Sequence, residues 1–414
     1  MKLLIFNLWL VGALAMAEDG GAFLAGVARA DITPTVSMPM YGYENRKCGP
    51  SSGVHDPLYA KVLVLESSGV RLAIVTLDLG SITSENLQRD VADNLGITTL
   101  LLAASHSHST PVLTPAYRVD LEKKIFSAVE QAAKTMFPAK LSAGRGAIQL
   151  GYNRLRVQPD GRARVMYRNP ERIPWGPVDP EIGLLRVEDA GGKPRALLVH
   201  YAAHAVVLGQ TNCKFSADYP GVMQADVEAA IPEAQVMFVQ GGAGDINPIL
   251  LGRSEDDAAD FAVNKAMGSL LAAEVIQANS EVTPVASGAI RASSQVMEFG
   301  NRWENGKKML VGITTVAIGK DIALATIPGE PMHLLQKKWK MQAPVKYPFF
   351  YGYTFSGGGQ WAGYIPDLAS AARGGYGADA STSIEVGAGE RLVEQHLINL
   401  FGLQGMWRDH PGQP

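Results

Sequence analysis

The chain has 414 residues, of which 47% are hydrophobic and 19% charged, with a formal net charge of −3 at pH 7. This composition is typical of a globular protein with a large apolar core. The small negative charge, with no basic stripe along the sequence, argues against nucleic acid as a partner.

The first residues have the pattern of a secretory signal peptide. Lys2 supplies a positive end, an apolar run follows, and Ala15 and Ala17 form a small-residue cleavage site. A membrane anchor is the competing interpretation, but the run is short for a span and lacks a basic flank. We therefore expect residues 1–17 to be removed and residues 18–414 to be exported as one soluble domain, without a transmembrane segment.

Apolar runs and helical patterns alternate along the rest of the chain. Strands that alternate with helices predict an α/β fold: a layered mixed β-sheet domain with flanking helices. The two segments 59–66 and 71–78 are predicted to form a β-hairpin. The other predicted strands are 21–31, 99–104, 141–144, 162–167, 196–204, 236–240 and 321–330, and the predicted helices are 84–95, 119–134 and 256–278.

The apolar run at 99–104 leads directly to His106 and His108, and Pro111 prevents the strand from continuing. Because alternate residues of an extended chain point the same way, both imidazoles can face one site at the end of a buried strand. Imidazole is the commonest protein ligand for metals. Two solvated loop histidines are the alternative interpretation.

Three further side chains follow predicted strands and precede turns: His204, Asp245 and Glu330. Histidines with one carboxylate are the ligand set of a catalytic zinc, whose bound water ionises near pH 7. This pattern predicts a zinc site at strand ends. For Glu330 alone, an exposed turn carboxylate would be the favoured interpretation, and for Asp78, which also closes a strand, a turn or capping role is favoured.

Cys48 and Cys213 are the two cysteines of the sequence. In an exported protein they could pair, but a chain of this length does not need a disulfide. The sequence leaves both possibilities open.

Several segments, in order, resemble the neutral/alkaline non-lysosomal ceramidase family. The similarity runs from about residue 26 to about residue 383. The segments that carry it are 25–34, 40–43, 53–61, 77–80, 106–111, 153–154, 201–204 and 327–330.

The resemblance implies a hydrolase of linear carbon–nitrogen amide bonds, acting on a ceramide-like sphingolipid amide or a related ester, with Zn²⁺ as cofactor. It also implies that Asp218 orients a histidine. The implied zinc ligands are His106, His204, Glu330 and Tyr364, and the groups that would orient substrate, stabilise an oxyanion or protonate a leaving group are His108, Arg154 and Tyr376.

The chain departs from the family pattern at Asn247, where the ceramidases carry a serine that is the proposed nucleophile. An amide cannot be activated for attack. Either zinc-activated water attacks while Asn247 donates a hydrogen bond to the substrate, or the chain does not catalyse this reaction. Asn247 also suits a turn before Pro248. Gly377 replaces a family glutamate, and the family's C-terminal β-sandwich domain has no counterpart.

We therefore predict an exported zinc-dependent hydrolase of the neutral ceramidase superfamily. The alternatives are a catalytically inactive lipid- or glycan-binding relative, or a zinc phosphoesterase, which would more often need two metals. Aromatic residues near Tyr364 are interpreted either as walls of an apolar substrate pocket or as core. These are Trp303, Trp361 and the segment 349–351. The acyl chain length and the oligomeric state stay open.

Overall fold

The computed structural model describes residues 23–254, 256–286 and 288–406, so the predicted signal peptide lies outside the described residues. The strands are β1 (Leu24–Asp31), β2 (Gly53–Val54), β3 (Tyr59–Ser67), β4 (Val70–Leu77), β5 (Thr99–Ala104), β6 (Phe137–Ala147), β7 (Gly151–Asn153), β8 (Leu155–Val157), β9 (Ala163–Val165), β10 (Glu181–Asp189), β11 (Pro194–Tyr201), β12 (Lys214–Phe215), β13 (Gln235–Gln240), β14 (Ile246–Pro248), β15 (Thr283–Val285), β16 (Ile290–Gly300), β17 (Lys308–Ile318), β18 (Ile322–Thr326), β19 (Glu330–Pro331), β20 (Tyr347–Tyr351), β21 (Thr354–Phe355) and β22 (Tyr364–Ile365). The helices are α1 (Glu85–Leu95), α2 (Pro115–Lys134), α3 (Asp218–Ala230), α4 (Asp257–Ser280), α5 (His333–Gln342), α6 (Leu368–Arg373) and α7 (Ala388–Leu403).

A large mixed sheet forms the centre of the fold, in the order β13-β11-β10-β6-β1-β3-β4-β5-β21, with β15 paired to β6. The pairs β4–β5 and β11–β13 are parallel. The sheet curls until β13 lies against β4 and β5. At the end of β13, the Gln240 amide donates to the carbonyl oxygens of Ser105 (3.2 Å) and Ala203 (2.7 Å). The curl therefore brings the ends of β5, β11 and β13 to one place.

The apolar faces of the sheets and helices pack against one another and arrange the fold in layers. Helices α1 to α4 cover one face of the large sheet. A second sheet, in the order β16-β17-β18-β20, packs on the other face, where Leu63 and Ile74 share a core with Leu324 and Phe349. Helices α5 and α7 close the outside of the second sheet through residues such as Trp339. The predicted α/β fold with a mixed sheet and flanking helices is confirmed, and a second sheet is added to it.

Two predicted strands are shorter than expected, and each difference moves a site residue off the end of the long strand. The predicted strand 196–204 ends at Tyr201, so His204 lies beyond it. The predicted strand 321–330 breaks after Thr326. Pro328 lacks the N–H that a continuing ladder would need, and Glu330 begins the separate strand β19.

Cys48 and Cys213 form a disulfide with their Cα atoms 6.0 Å apart, which settles the question that the sequence left open. The bond ties the loop before β2 to the loop before β12, and these two strands also pair in parallel. None of the described helices combines the length and the apolar character needed to cross a membrane.

Candidate metal centre

His106 and His108 meet at the end of β5, but not through strand alternation. The chain leaves the strand after Ala104, and His106 has φ +62°, in the left-handed region. The N–H of His106 donates to the Leu79 carbonyl (2.9 Å), which holds this turn in place. The Nε2 atoms of the two histidines are 3.2 Å apart. Both rings face one site, as expected, but the expected reason is wrong, because a backbone turn aims them.

His204 and Glu330 complete a cluster with these histidines. The Oε2 atom of Glu330 lies 3.2 Å from Nε2 of His204 and 3.3 Å from Nε2 of His106. One ring nitrogen from each of His106, His108 and His204 lies within 4.8 Å of the others. His106, His204 and Glu330 are buried. Three imidazoles and one carboxylate therefore converge at this point.

The hydrogen bonds behind the rings set the tautomers of two histidines. Nδ1 of His106 is 2.7 Å from the Gly80 carbonyl oxygen, and Nδ1 of His204 is 2.6 Å from that of Ala243. Because a carbonyl only accepts, each Nδ1 carries the hydrogen, and each Nε2 presents its lone pair to the cluster. This is the arrangement that metal-ligating histidines require.

The charge states in the cluster also fit a metal. Burial lowers the pKa of His204 to about 4 and holds the pKa of His108 well below its usual range, so both imidazoles are neutral. Glu330 adds a carboxylate to these imidazoles, with Oε2 within 3.3 Å of Nε2 of both His106 and His204. Imidazoles together with a carboxylate are the donor set that zinc prefers. These residues can hold a metal ion.

Tyr364 lies beside the cluster because β19 and β22 pair with Glu330 directly opposite Tyr364. Its ring stacks on His204, with ring centres 6.3 Å apart. Burial raises the pKa of the Tyr364 hydroxyl well above its usual range. The converging nitrogens are those of His106, His108 and His204. The role of Tyr364 as a ligand stays a prediction.

Arg154 and Asn247 lie next to this cluster: Arg154 follows directly on β7, and Asn247 lies on β14, the strand that pairs with β7. The Arg154 guanidinium donates to the Gly244 carbonyl (2.7 Å) and to Oδ1 of Asn247 (3.3 Å). The rings of Tyr364 and Tyr376 each lie 5.3 Å from the central guanidinium carbon. Arg154, Asn247, Tyr364 and Tyr376 therefore share one wall with the metal cluster, and the catalytic roles assigned to them stay predictions.

Asp245 is not part of the metal cluster. Its Oδ2 lies 2.6 Å from Nδ1 of His333 and accepts from the Asn153 side-chain amide at 2.8 Å. Burial disfavours the charge on Asp245, but His333 prevails and lowers its pKa, while Asp245 raises the pKa of His333 against the effect of burial. The expectation of a strand-end ligand at Asp245 is therefore wrong, because this carboxylate ties three segments together.

Two other carboxylates have structural roles. Asp218 accepts hydrogen bonds from the backbone N–H groups of Val207, Leu208 and Tyr219, and among the described residues it makes no hydrogen bond with a histidine. The prediction that it orients a histidine is wrong, because backbone carbonyls do so. Asp78 accepts from the N–H of Tyr59, as the favoured turn role implies, and lies outside the metal centre.

Two tyrosines at the centre have no counterpart among the predicted site residues. The Tyr353 ring lies 4.5 Å from the His106 ring, and the Tyr41 ring lies 5.7 Å from those of both His106 and His108. Among the described residues, nothing accepts or donates a hydrogen bond at the buried Tyr353 hydroxyl. Each belongs to a Tyr-Gly-Tyr segment, at 41–43 and 351–353. That repeated motif is the signal that could have found them.

A pocket of about 860 Å³ opens over the cluster. Its floor includes His108, His204, Arg154 and Asn247, so the metal centre is open to a ligand from this side. The aromatic segment 349–351, for which a pocket wall was one interpretation, is buried in the core instead.

Comparison with known proteins adds three findings. Residues 23–312 match the family described as neutral/alkaline non-lysosomal ceramidase, N-terminal. Neutral ceramidase A of Dictyostelium discoideum is 25% identical over 268 residues, which are 56% of this chain and 36% of that protein. The chain thus spans about a third of the length of this relative.

Two solved structures share the fold. A ceramidase complexed with C2 superposes with a TM-score of 0.77 at 16% identity, over 95% of this chain and 77% of the other. The neutral ceramidase from Pseudomonas aeruginosa gives 0.75 at 17% identity, over 92% and 75% of the two chains.

Proposed function

The chain belongs to the neutral/alkaline non-lysosomal ceramidase family, and on that premise we propose that it is an exported, zinc-dependent amidohydrolase. It cleaves an N-acyl amide, the type of bond that a ceramide contains, or a related ester. The observation that carries this proposal is the convergence of His106, His204 and Glu330, which would hold the zinc, beside His108 and beneath an open pocket.

The side chains around the cluster match the charges that develop during amide hydrolysis. When bound, zinc polarises a carbonyl and lowers the pKa of water toward 7. Arg154 is buried and cationic, and it donates to the oxyanion that forms as water adds to the acyl carbon. His108 is neutral and borders the pocket, so it can take a proton from the attacking water and give it to the leaving nitrogen. The products are a carboxylate and an amine.

Asn247 positions Arg154 in this mechanism. Its Oδ1 accepts from the guanidinium at 3.3 Å, while its Nδ2 lies 3.5 Å from the Tyr152 hydroxyl. Because an amide cannot act as a nucleophile, the attacking group is water rather than a side chain at this position. Replacement of Asn247 by Ser would add a hydroxyl without restoring a needed nucleophile, so we expect N247S to hydrolyse no faster than wild type.

Export is supported by the disulfide between Cys48 and Cys213, because such bonds persist in oxidising compartments. The predicted signal peptide at 1–17 is part of the same proposal. Mass spectrometry of the protein recovered from outside the cytoplasm tests both, because cleavage after Ala17 fixes the new N-terminus.

The decisive experiment measures zinc content and hydrolysis together. Purified protein is offered a panel of N-acyl amides, a short-chain ceramide and simple esters, beside the variants H106A, E330A and H108Q. We expect about one zinc per chain in wild type, loss of zinc and turnover in H106A and E330A, and loss of turnover with retained zinc in H108Q. Full zinc occupancy without turnover on any substrate would instead identify an inactive binding relative, and two zinc ions per chain would favour a phosphoesterase.

A further inference from the structure

The pocket over the metal centre is lined mainly by residues whose side chains carry polar groups. Its rim carries exposed side chains, among them Glu44, Asn45 and Arg168, and its floor carries the buried residues of the centre. Val206 is the one aliphatic side chain among the described residues that line it. Burying hydrocarbon chains requires apolar walls. This pocket offers tyrosine rings and hydrogen-bonding groups instead.

The pocket also carries more positive than negative charge. Its cationic lining residues are Lys47, Arg154, Arg168 and Arg253, against Glu44 as the one lining carboxylate in the described part of the chain. A cleft lined by one sign of charge concentrates ligands of the opposite sign.

Two of these arginines are held by neutral acceptors, so their charges are not cancelled by direct ion pairs. Arg253 donates to the carbonyl oxygens of Val206, Val207 and Gly252, each at 2.7 Å. Arg154 donates to one carbonyl and one amide oxygen, as described above. The carboxylates near them have other partners: Asp218 is bound by three backbone amides, and Glu330 faces the imidazoles.

Arg168 is the cation at the rim that is free to bind a ligand. It is exposed, and it makes no hydrogen bond or ion pair with any residue that the structure describes. A guanidinium presents paired N–H donors that match the oxygens of a carboxylate or a phosphate. A substrate that reaches from the metal centre to the rim would bring such a group within its range.

We infer that the substrate of this pocket is an acyl amide that bears an anionic group, a carboxylate or a phosphate, rather than a two-chain lipid. The inference rests on the proposed amide hydrolysis. The reaction itself is unchanged: water adds to the acyl carbon, the carbon–nitrogen bond breaks, and the proton goes to the leaving nitrogen. The arginines decide which amide is accepted.

The test compares four substrates with the zinc-loaded protein. Two of the substrates are anionic: N-hexanoyl-β-alanine carries a carboxylate, and N-hexanoyl-O-phosphoethanolamine carries a phosphate. N-hexanoylethanolamine is the neutral amide, and a short-chain ceramide represents the two-chain lipid. We expect kcat/KM for at least one anionic amide to exceed that for the neutral amide by about tenfold or more. Because the attraction is electrostatic, this preference should shrink as salt is added.

Variants at Arg168 test whether this residue is the source of the preference for anionic amides. R168Q should lower the ratio of anionic to neutral kcat/KM several-fold, and R168K should restore part of it. R291Q is the matched control, because Arg291 is an exposed arginine on β16 outside the pocket lining. It should leave the ratio unchanged. A ratio near one in wild type, or the highest kcat/KM with ceramide, would overturn the inference while amide hydrolysis stands.

Binding gives a readout that does not depend on turnover. Calorimetry measures the binding of N-hexanoyl-β-alanine and of the neutral amide to zinc-loaded wild type and to zinc-loaded R168Q. It reports the preference even if neither amide is cleaved. If no amide is hydrolysed but the anionic one binds more tightly and R168Q removes the difference, the proposed activity fails and the anionic specificity is upheld. Equal binding of both amides would contradict the specificity.

Discussion

Two non-glycine residues of the metal centre have left-handed backbone conformations. They are His106 (φ +62°) and Tyr353 (φ +56°). Such conformations are costly for residues with a Cβ and tend to persist where the surroundings hold them for function. Here each one turns a chain sharply at the edge of the centre. At the scale of single residues, backbone strain is therefore part of how the site is assembled.

Gly42 allows a test of His108, because it lies directly against the His108 ring. A Cβ at Gly42 would come within 2.2 Å of Cγ of His108, and the residue has φ +98°. We expect G42A to displace the ring and lower kcat/KM about 100-fold, the cost of a small misplacement in an active site. Hydrolysis of the best amide substrate is the measurement.

The control for this prediction is Gly161→Ala. Gly161 also has a positive φ, +81°, but a Cβ there meets no atom within 4 Å. Both variants carry the backbone strain, and G42A alone touches the site. Equal activity in the two variants would show that the position of the His108 ring does not matter for catalysis.

We expect Arg154 to act through the two N–H donors of its planar guanidinium as well as through its positive charge. Arg154→Lys keeps the charge but loses the paired donors that reach Gly244 and Asn247. We expect kcat to fall about 10²- to 10³-fold, as for loss of an oxyanion donor, with zinc content unchanged. Steady-state kinetics with metal analysis measures both, and an unchanged kcat would remove Arg154 from the mechanism.

Sequence patterns found the site residues that follow strongly apolar strands, and missed those that depend on distant packing. His106, His204 and Glu330 were visible because an apolar run points to each of them. The partner of Asp245 was not visible, because His333 lies 88 residues away. Tyr353 was also missed, because only the chain path between the two sheets places it against His106.

At the scale of elements, two very short strand pairs do most of the assembly. Pairing of β19 with β22 sets Glu330 opposite Tyr364, and pairing of β14 with β7 sets Asn247 opposite Tyr152. Strands of two or three residues have no readable alternation. These pairs could therefore not be predicted from the sequence.

The longer elements that escaped prediction have a different cause. β16 alternates between partly buried and exposed residues over most of its length, because one of its faces is open. Its pattern is therefore weaker than that of the fully buried strands, and the second sheet was missed with it. The strands of the large sheet that could be predicted, such as β5, are apolar throughout, whereas β10 escaped prediction and only 141–144 of β6 was predicted.

The Asp245–His333 pair joins the start of α5 to the loop before β14. Because this pair is ionised, it makes the free energy of unfolding depend on pH. His333 has a raised pKa, so its contribution is fully present below the usual histidine pKa of about 6.5 and is lost as pH rises through the raised value. We expect H333Q to lower the free energy of unfolding by about 3 kcal/mol near pH 6. The difference from wild type should shrink at higher pH. Denaturant unfolding between pH 5 and 9 measures it.

His396 is the matched control for this pair. It is fully buried between neutral partners, and burial lowers its pKa to about 4. Its contribution therefore grows as pH rises toward about 6.5 and is constant above that. H396Q should show this opposite slope. Parallel pH profiles for H333Q and H396Q would contradict an ionised Asp245–His333 pair.

At the scale of the whole molecule, residues from distant parts of the chain meet at one point. His106 and His204 follow strands of the large sheet, whereas Glu330 follows β18 of the second sheet. The segment from β20 to β21 crosses between the sheets and carries Tyr353. The centre can therefore form only after both sheets have packed, and no short segment of the chain holds a complete site.

The disulfide closes a segment of 165 residues between Cys48 and Cys213. A cross-link of that span restricts the unfolded chain by about 5 kcal/mol in the loop-entropy estimate. We expect the double variant C48S/C213S to lose stability of that order while it keeps the fold. Thermal unfolding under oxidising conditions measures the loss, and addition of a reductant should lower the stability of wild type but not of the variant. Equal stability of wild type and the double variant in the absence of reductant would contradict the estimate.

The same disulfide also restricts movement at the mouth of the pocket. Cys48 follows directly on Lys47 and Cys213 lies two residues beyond Thr211, so the covalent link ties together two loops that both line the mouth. Loops joined in this way cannot swing apart as a lid does. This side of the entrance therefore keeps its shape, and a molecule that passes it is selected by whether it fits rather than by a movement of these two loops after its arrival.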